Sequence, residues 1–355
     1  MKSMRPMEAV AALYAEGNEA REVFEGLSRS VFGDHGLSPS GPARRLLARL
    51  SYRVVKRTTR RAPPGAETAF RCPILERSGH AYARSLLSPS RQDMAGLVEG
   101  GDPMNGPYMM ILPEVRRCGD RWDGIFFNSV QGRDVQLRFI WETLATHAEA
   151  TRRLEAGRPV SLKGVAAGTG LSLLLVCDRL LRDGHDPSRI SASITDREAS
   201  NTTKTRRLAA KIPSLKDRLS ESPRDGTIAV HSEDAFSATG RPGGYDVVTA
   251  IGILEYLQGE TCDTTAHRLG RTAPASTEAA SLATVLAGVS APDGSLIVNT
   301  YRPHSSVRLL EVFGKEFAYR TRENMAALLG PAGFRLASLV GSGNIYDVEI
   351  YSRAS

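Results

Sequence analysis

The chain has 355 residues, with 46 Lys and Arg against 39 Asp and Glu, a net charge of +7, and 41% hydrophobic and 24% charged residues. Those proportions belong to a folded globular protein, and the length predicts two domains. No apolar run reaches the roughly 18 residues of a membrane-spanning helix. The opening residues, MKSMRPMEAV, lack the apolar core of a secretion signal, so a cytoplasmic protein is expected. Four cysteines (Cys72, Cys118, Cys177, Cys262) lie far apart without a C-x-x-C, which predicts neither a disulfide framework nor a metal site.

Residues 1–157 read as a mostly helical domain. Apolar residues recur at helical spacing from Met7 to Leu27, and a second such segment follows Pro42 to about Val55. Arginine is densest there: Arg44, Arg45, Arg49, Arg53, Lys56, Arg57, Arg60 and Arg61. A nucleic-acid surface would interleave aromatic residues for base stacking, and only Tyr52 is near. The block therefore reads as a solvated helix face, and no nucleic-acid partner is expected. Arg61-Ala-Pro-Pro-Gly65 breaks the pattern, and residues 78–118 read as short helices joined by turns. A longer helix is predicted over 134–156 from Val135, Leu137, Ile140, Leu144 and His147.

From 158 onward the pattern alternates between strand and helix, the signature of an α/β sheet covered on both faces. Strands are expected at 160–166, 189–195, 226–231, 245–251, 294–300, 334–340 and 345–352. Helices are expected near 169–183, 197–211, 275–289, 305–313 and 321–330. The first five strands are joined by crossovers and should run parallel. Only Gly341-Ser-Gly-Asn344 separates the last two, so the seventh strand should be antiparallel in a Rossmann-like sheet. The Thr- and Ala-rich stretch 258–280 reads as an insertion, either a partner contact or a loop.

Residues 160–170, Val-Ser-Leu-Lys-Gly-Val-Ala-Ala-Gly-Thr-Gly, carry the most chemical information. A strand turning through glycines into a helix brings bare backbone and a helix N-terminus against a ligand. A dinucleotide fingerprint would need a third glycine at position 173, which is Leu173. A cofactor without a pyrophosphate fits better, and S-adenosylmethionine is the leading choice; no metal is implied.

Several segments then resemble, in order, the class I S-adenosylmethionine-dependent methyltransferases. Tyr245-Asp-Val-Val248 through Ile253-Leu-Glu-Tyr-Leu257 is similar to their fourth strand and its loop. Ser290–Val298 resembles the turn into their fifth strand, and Gly333-Phe334 the entry to their closing hairpin. The resemblance implies that Asp196, ending the second strand, accepts the ribose hydroxyls; read from the residues alone it is also a helix N-cap. It implies that Asp234 meets the adenine amino group while Ala235 or Phe236 lines the ring, against a plain acidic turn. Gly168, Thr169 and Gly170 form the ligand-facing turn, with Ala166 and Ile251 at neighbouring strand ends. The chain departs from the family at two places: an acid is usual where Gly164 stands, and glycine where Ala166 stands. That acid helps hold the ammonium of the methionine portion, so here the tail is held otherwise, or its amine is less firmly protonated.

Candidate catalytic residues are Asn128 in the Phe126-Phe-Asn-Ser129 stretch, Glu255 and Tyr256 after the fourth strand, and Tyr301 and His304 after the fifth. Glu255 or His304 would serve as a general base. The reading that leads is methyl transfer to a small-molecule acceptor in secondary metabolism, with residues 1–157 as lid and acceptor pocket. Two others stand beside it. In one, an unprotonated amine closes a ring to give azetidine-2-carboxylate and methylthioadenosine, a reaction suggested by a looser similarity to synthases of that product. In the other, the chain is a regulatory protein that binds S-adenosylmethionine without catalysis.

Overall fold

A computed structural model describes residues 130–257, 276–302, 317–343 and 345–353. The expected helices of 1–129, the Arg44–Arg61 block, the helix at 305–313, most of 258–280, Asn128 and His304 lie outside these residues. No described helix is long and apolar enough to cross a membrane.

The described chain opens with helix α1 (Val130–Glu155), which leads into strand β1 (Val160–Gly164). It continues through α2 (Leu171–Arg182), β2 (Ile190–Asp196), α3 (Ala199–Lys211), β3 (Leu219–Ser220), β4 (Ile228–Ser232) and β5 (Tyr245–Ala250). The last elements are α4 (Thr277–Val289), β6 (Ser290–Asn299), α5 (Arg322–Leu329), β7 (Phe334–Ser342) and β8 (Asp347–Arg353). The strands form one eight-stranded sheet in the order β3-β4-β2-β1-β5-β6-β8-β7. Seven match the strands expected from sequence. The two-residue β3 was not anticipated, being too short to show an alternating pattern. β8 runs antiparallel to both β6 and β7, as the short final link predicted, and the other pairings are parallel.

Apolar residues on each face of the sheet set the two helical layers. Leu162, Ile194, Val247 and Ile297 pack with Phe139, Trp141 and Leu144 of α1 and with Leu173, Leu174 and Val176 of α2. On the other face Val248, Leu296 and Val298 meet Leu282 and Leu286 of α4 and Met325 and Leu328 of α5. Helix α5 begins with a reciprocal capping box between Thr321 and Asn324. The expected helix at 134–156 is thus packed directly on the sheet. Its buried residues extend beyond the apolar stripe to Asp134, Arg138 and Glu142. A spacing of four places those three on one side of α1.

Strand order also locates the crevice. From β1 the chain moves outward to β2 and β4, then returns to lay β5 on the other side of β1. The connections after β1 and β5 therefore leave in opposite directions, and a cleft opens at the C-terminal ends of these strands.

Helix α1 seats tightly where β7 bends. The β7–β8 pairing shifts register between Leu339 and Gly341, and a Cβ on Gly341 would fall within the Trp141 indole. Gly341→Ala should therefore destabilise the fold by roughly 1–3 kcal/mol, the usual cost of overpacking, seen as a lower urea midpoint. An unchanged midpoint would mean that α1 does not seat on β7 as described.

Candidate functional site

β1 ends at Gly164, where space is tight: an added Cβ would lie 2.6 Å from Leu173 Cδ1 and 3.0 Å from Ala167 Cβ. The strand then unwinds through three left-handed residues, Ala166 (φ 51°), Gly168 (φ 57°) and Gly170 (φ 59°). Backbone hydrogen bonds fix this turn. The Val165 N–H donates to the Thr249 carbonyl at 2.9 Å and the Ala167 N–H to the Thr195 carbonyl at 2.9 Å. The Gly168 N–H donates to Asp196 Oδ2 at 2.9 Å. The other oxygen of Asp196 accepts from the Glu198 N–H at 2.9 Å and the Asn201 amide at 3.1 Å. Asp196 therefore ties the glycine turn to the start of α3.

A cavity of about 550 Å³ opens over this turn. Its walls include Ala166, Gly168 and Thr169, the opening turn of α2 at Leu171 and Ser172, and Asp196 and Asn201. Asp234, Ala235 and Phe236 follow β4, and Thr249, Ile251, Gly252, Glu255 and Tyr256 follow along β5 and its loop. Arg138 and Glu142 of α1 close the wall. The first N–H groups of α2 have no acceptor within the helix and are available to a ligand. Between β4 and β5 the sheet takes three interstrand steps, about 14 Å, so the cavity suits an elongated molecule.

Each end is held by polar side-chain contacts. At the β4 end, Lys163 Nζ meets Glu233 Oε2 at 2.5 Å, and Glu233 Oε1 accepts from the Thr239 N–H and hydroxyl, each at 2.8 Å. This closes the loop that carries Asp234–Phe236. Asp234 itself accepts from the Phe236 N–H at 2.8 Å, leaving Phe236 39% exposed at the cavity rim. At the β5 end, Arg138 Nη1 meets Glu255 Oε1 at 2.8 Å, and Asn299 donates to Glu255 Oε2 at 3.0 Å. Arg138 also lies 4.4 Å over the Tyr346 ring. Arg320 donates to the Leu257 carbonyl at 2.7 Å, pinning the loop from below.

Glu142 is the other charged group at this end. It is 7% exposed and accepts from the Ser172 hydroxyl through Oε1 at 2.6 Å. Burial pushes its carboxyl up to about 7, against the hydrogen bond from Ser172 and the charge of Arg138.

The structure thus gathers most of the expected site residues around one cavity: Ala166, Gly168, Thr169, Asp196, Asp234, Ala235, Phe236, Ile251, Glu255 and Tyr256. Two of the expected residues stand outside this wall. Gly170 is not part of the wall; its Cβ would lie 2.5 Å from Ile194 Cγ2 and 3.1 Å from Thr205 Cγ2, so helix packing demands the glycine. Tyr301 is also absent from the wall and is buried among aromatic rings, stacked on Tyr319 and Tyr346 at 5.0 and 4.9 Å. Glu255 does line the cavity, and both its oxygens are engaged, one by Arg138 and the other by Asn299. Sequence reasoning missed Arg138, Glu142, Ser172 and Asn201. The available signal was a charged pair four residues apart inside a helix otherwise read from its apolar positions.

The comparisons with known proteins concern the fold. No protein-family model and no curated protein matches the sequence. Among solved structures, a possible exported protein from Bordetella parapertussis is similar with a TM-score of 0.52 at 17% identity, over 89% of this chain and 100% of that one. The CurJ carbon methyltransferase gives a TM-score of 0.46 at 13% identity, over 99% and 100% of the two chains. The 1,6-didemethyltoxoflavin-N1-methyltransferase of Burkholderia thailandensis gives 0.39 at 16% identity, over 63% and 83%. With β3 set aside, the strand order and the single antiparallel strand are those of the class I S-adenosylmethionine-dependent methyltransferases, and the chain has that fold.

Two measurements check the strain and charge described here. Ala166 sits in a conformation that costs an alanine roughly 1–2 kcal/mol, partly offset in a glycine variant by added freedom of the unfolded chain. Ala166→Gly should therefore raise stability by roughly 0.5–1 kcal/mol; a loss of stability would contradict the left-handed turn.

The second concerns pH. The folded protein holds a proton on Glu142 more firmly than the unfolded chain, whose carboxyl has the ordinary value of 4.5. Burial likewise pushes Glu349 up to about 7. Between those values the folded state binds more protons, so stability should fall as pH rises from about 4.5 to about 7. Glu142→Gln should flatten part of that fall in urea titrations, and an unaltered slope would contradict the burial of its charge.

Proposed function

We propose that the cavity binds S-adenosylmethionine and that the protein transfers its methyl group to a small-molecule acceptor, as in secondary metabolism. The observation that carries this reading is the left-handed glycine turn tied to Asp196 at the strand-crossing cleft. The charged Arg138, Glu142 and Glu255 lie toward the other end of the same cavity. An adenosine half suits the Asp196 and Asp234–Phe236 side, and an amino-acid half suits the charged side.

The residues take distinct parts. Asp196 Oδ2 accepts from the Gly168 N–H and retains a lone pair to accept from a ribose hydroxyl. Phe236 offers an aromatic face at the adenine end, beside buried Ala235. The Arg138–Glu255 pair, fixed by Asn299, orients the loop after β5 and carries no proton in the reaction. Tyr256, 36% exposed and set edge-on against Phe317 at 5.1 Å, stands at the rim where an acceptor would enter. Once bound, S-adenosylmethionine would supply a methyl carbon on a sulfonium, open to an acceptor's lone pair with the carbon–sulfur bonding pair leaving on sulfur. Catalysis then rests on positioning and exclusion of water.

The cyclisation reading grew from the acid missing at Gly164. Glu142 lines the cavity, and once ionised, above about pH 7, it would keep a neighbouring amine protonated and unable to attack. That favours methyl transfer.

Calorimetry should detect binding of both S-adenosylmethionine and S-adenosylhomocysteine. Asp196→Asn should weaken it by roughly 1.5–3 kcal/mol, the range for a hydrogen bond to a charged group. Mass spectrometry should find S-adenosylhomocysteine only when an acceptor is supplied. Release of methylthioadenosine without an acceptor would contradict methyl transfer, and absence of binding would overturn the whole assignment.

A further inference from the structure

We infer that Glu142 is the acceptor for the ammonium group of the co-substrate's amino-acid tail, a role moved from the end of β1 to helix α1. The inference rests on the proposed binding of S-adenosylmethionine and names how its tail is recognised.

The end of β1 comes first. Residue 164 has no side chain, and an added Cβ would crowd Leu173 Cδ1 and Ala167 Cβ, so β1 presents no acid at its end. The cavity must meet an ammonium with something else. Near that point the Thr249 carbonyl accepts from Val165 and the Thr195 carbonyl from Ala167, and neither carries the full charge that best complements an ammonium.

Glu142 meets the requirement in position, burial and valence. It lies on α1 four residues after Arg138, and it shares the cavity wall with Ser172, Thr249 and Gly252. Only its Oε1 is engaged, by the Ser172 hydroxyl; Oε2 has no hydrogen-bond partner among the described residues. Oε2 is not among the fully buried atoms that lack a partner, so it opens on the cavity, and a carboxylate so largely withdrawn from bulk water is costly to keep charged. A bound ammonium removes that cost, because its three N–H donors and its charge both complement Oε2.

The neighbouring charges do not compete for this role. Arg138 is the cation nearest Glu142 on its own helix, and it is held by Glu255 and by the Tyr346 ring. From α2 the facing group is the Ser172 hydroxyl, which is neutral. Asp196 lies beyond β1 on the β2 side and is occupied with the glycine turn. An incoming amine therefore finds Glu142 as the available carboxylate at the α1 end of the cavity.

The test compares two ligands that differ only in the amine: S-adenosylhomocysteine and its deaminated analogue, 5′-S-(3-carboxypropyl)-5′-thioadenosine. The intact protein should prefer the amine-bearing ligand by about ten- to hundred-fold. Glu142→Gln should lose that preference while binding the deaminated analogue as the intact protein does. Its unfolding midpoint at about pH 8, which should not fall because a buried charge has been removed, shows whether the variant folds. Equal affinity of the intact protein for the two ligands would overturn the inference and leave the proposed function standing. So would a Glu142→Gln variant that keeps the preference, or that loses both ligands equally. Binding of neither ligand by the intact protein would remove both readings.

Discussion

The Asp196 carboxylate accepts hydrogen bonds from the Gly168 N–H, the Glu198 N–H and the Asn201 amide, and through it the sheet, the glycine turn and α3 are held as one unit. β1 and β2 lie in register, with Gly164 opposite Ile194, so the end of β2 stands beside the point where β1 unwinds. A backbone in the left-handed region would not hold its shape unaided, and for Ala166 it carries a steric cost. The carboxylate, together with the Thr195 and Thr249 carbonyls, over-determines the turn. The same acid closes the cavity on the β2 side, so the group that builds the turn also faces any ligand that the turn receives.

Around that constraint the cavity is asymmetric in charge. Its β4 side presents Asp234 and an aromatic rim beyond the buried Lys163–Glu233 pair. Its α1 side presents a fixed Arg138–Glu255 pair and the half-satisfied Glu142. Buried ion pairs of this kind add little net stability, since desolvation opposes their attraction. They do fix geometry, and here both pairs secure the loops that follow strands at the cleft. Stability comes instead from the two apolar layers, with Trp141 wedged against Gly341 to set how α1 lies on the sheet.

Much of the sheet was legible because the strands alternate with helical spacing and because Gly341–Asn344 is too short for a crossover. Position-specific roles were harder to read. Gly168 and Gly170 look alike in sequence, yet one faces the cavity and the other makes room for Ile194 and Thr205. Tyr301 follows β6 as a site residue would, but three other aromatic rings surround it. Glu255 reads as a base until Arg138, distant in the chain, is seen to hold it. Arg138 and Glu142 carry the opposite lesson: an i, i+4 charge pair usually marks a solvated helix face, and only the packing of α1 on the sheet turns it inward. Gly164 was the useful clue, since a missing side chain in a motif points to a substitute elsewhere.

The most direct trial of this account is a crystal structure of the protein with S-adenosylhomocysteine. It should place the ribose on Asp196, the adenine beside Phe236 and the amino-acid tail toward α1. A ligand seated away from the glycine turn, or none retained at saturating concentration, would contradict it.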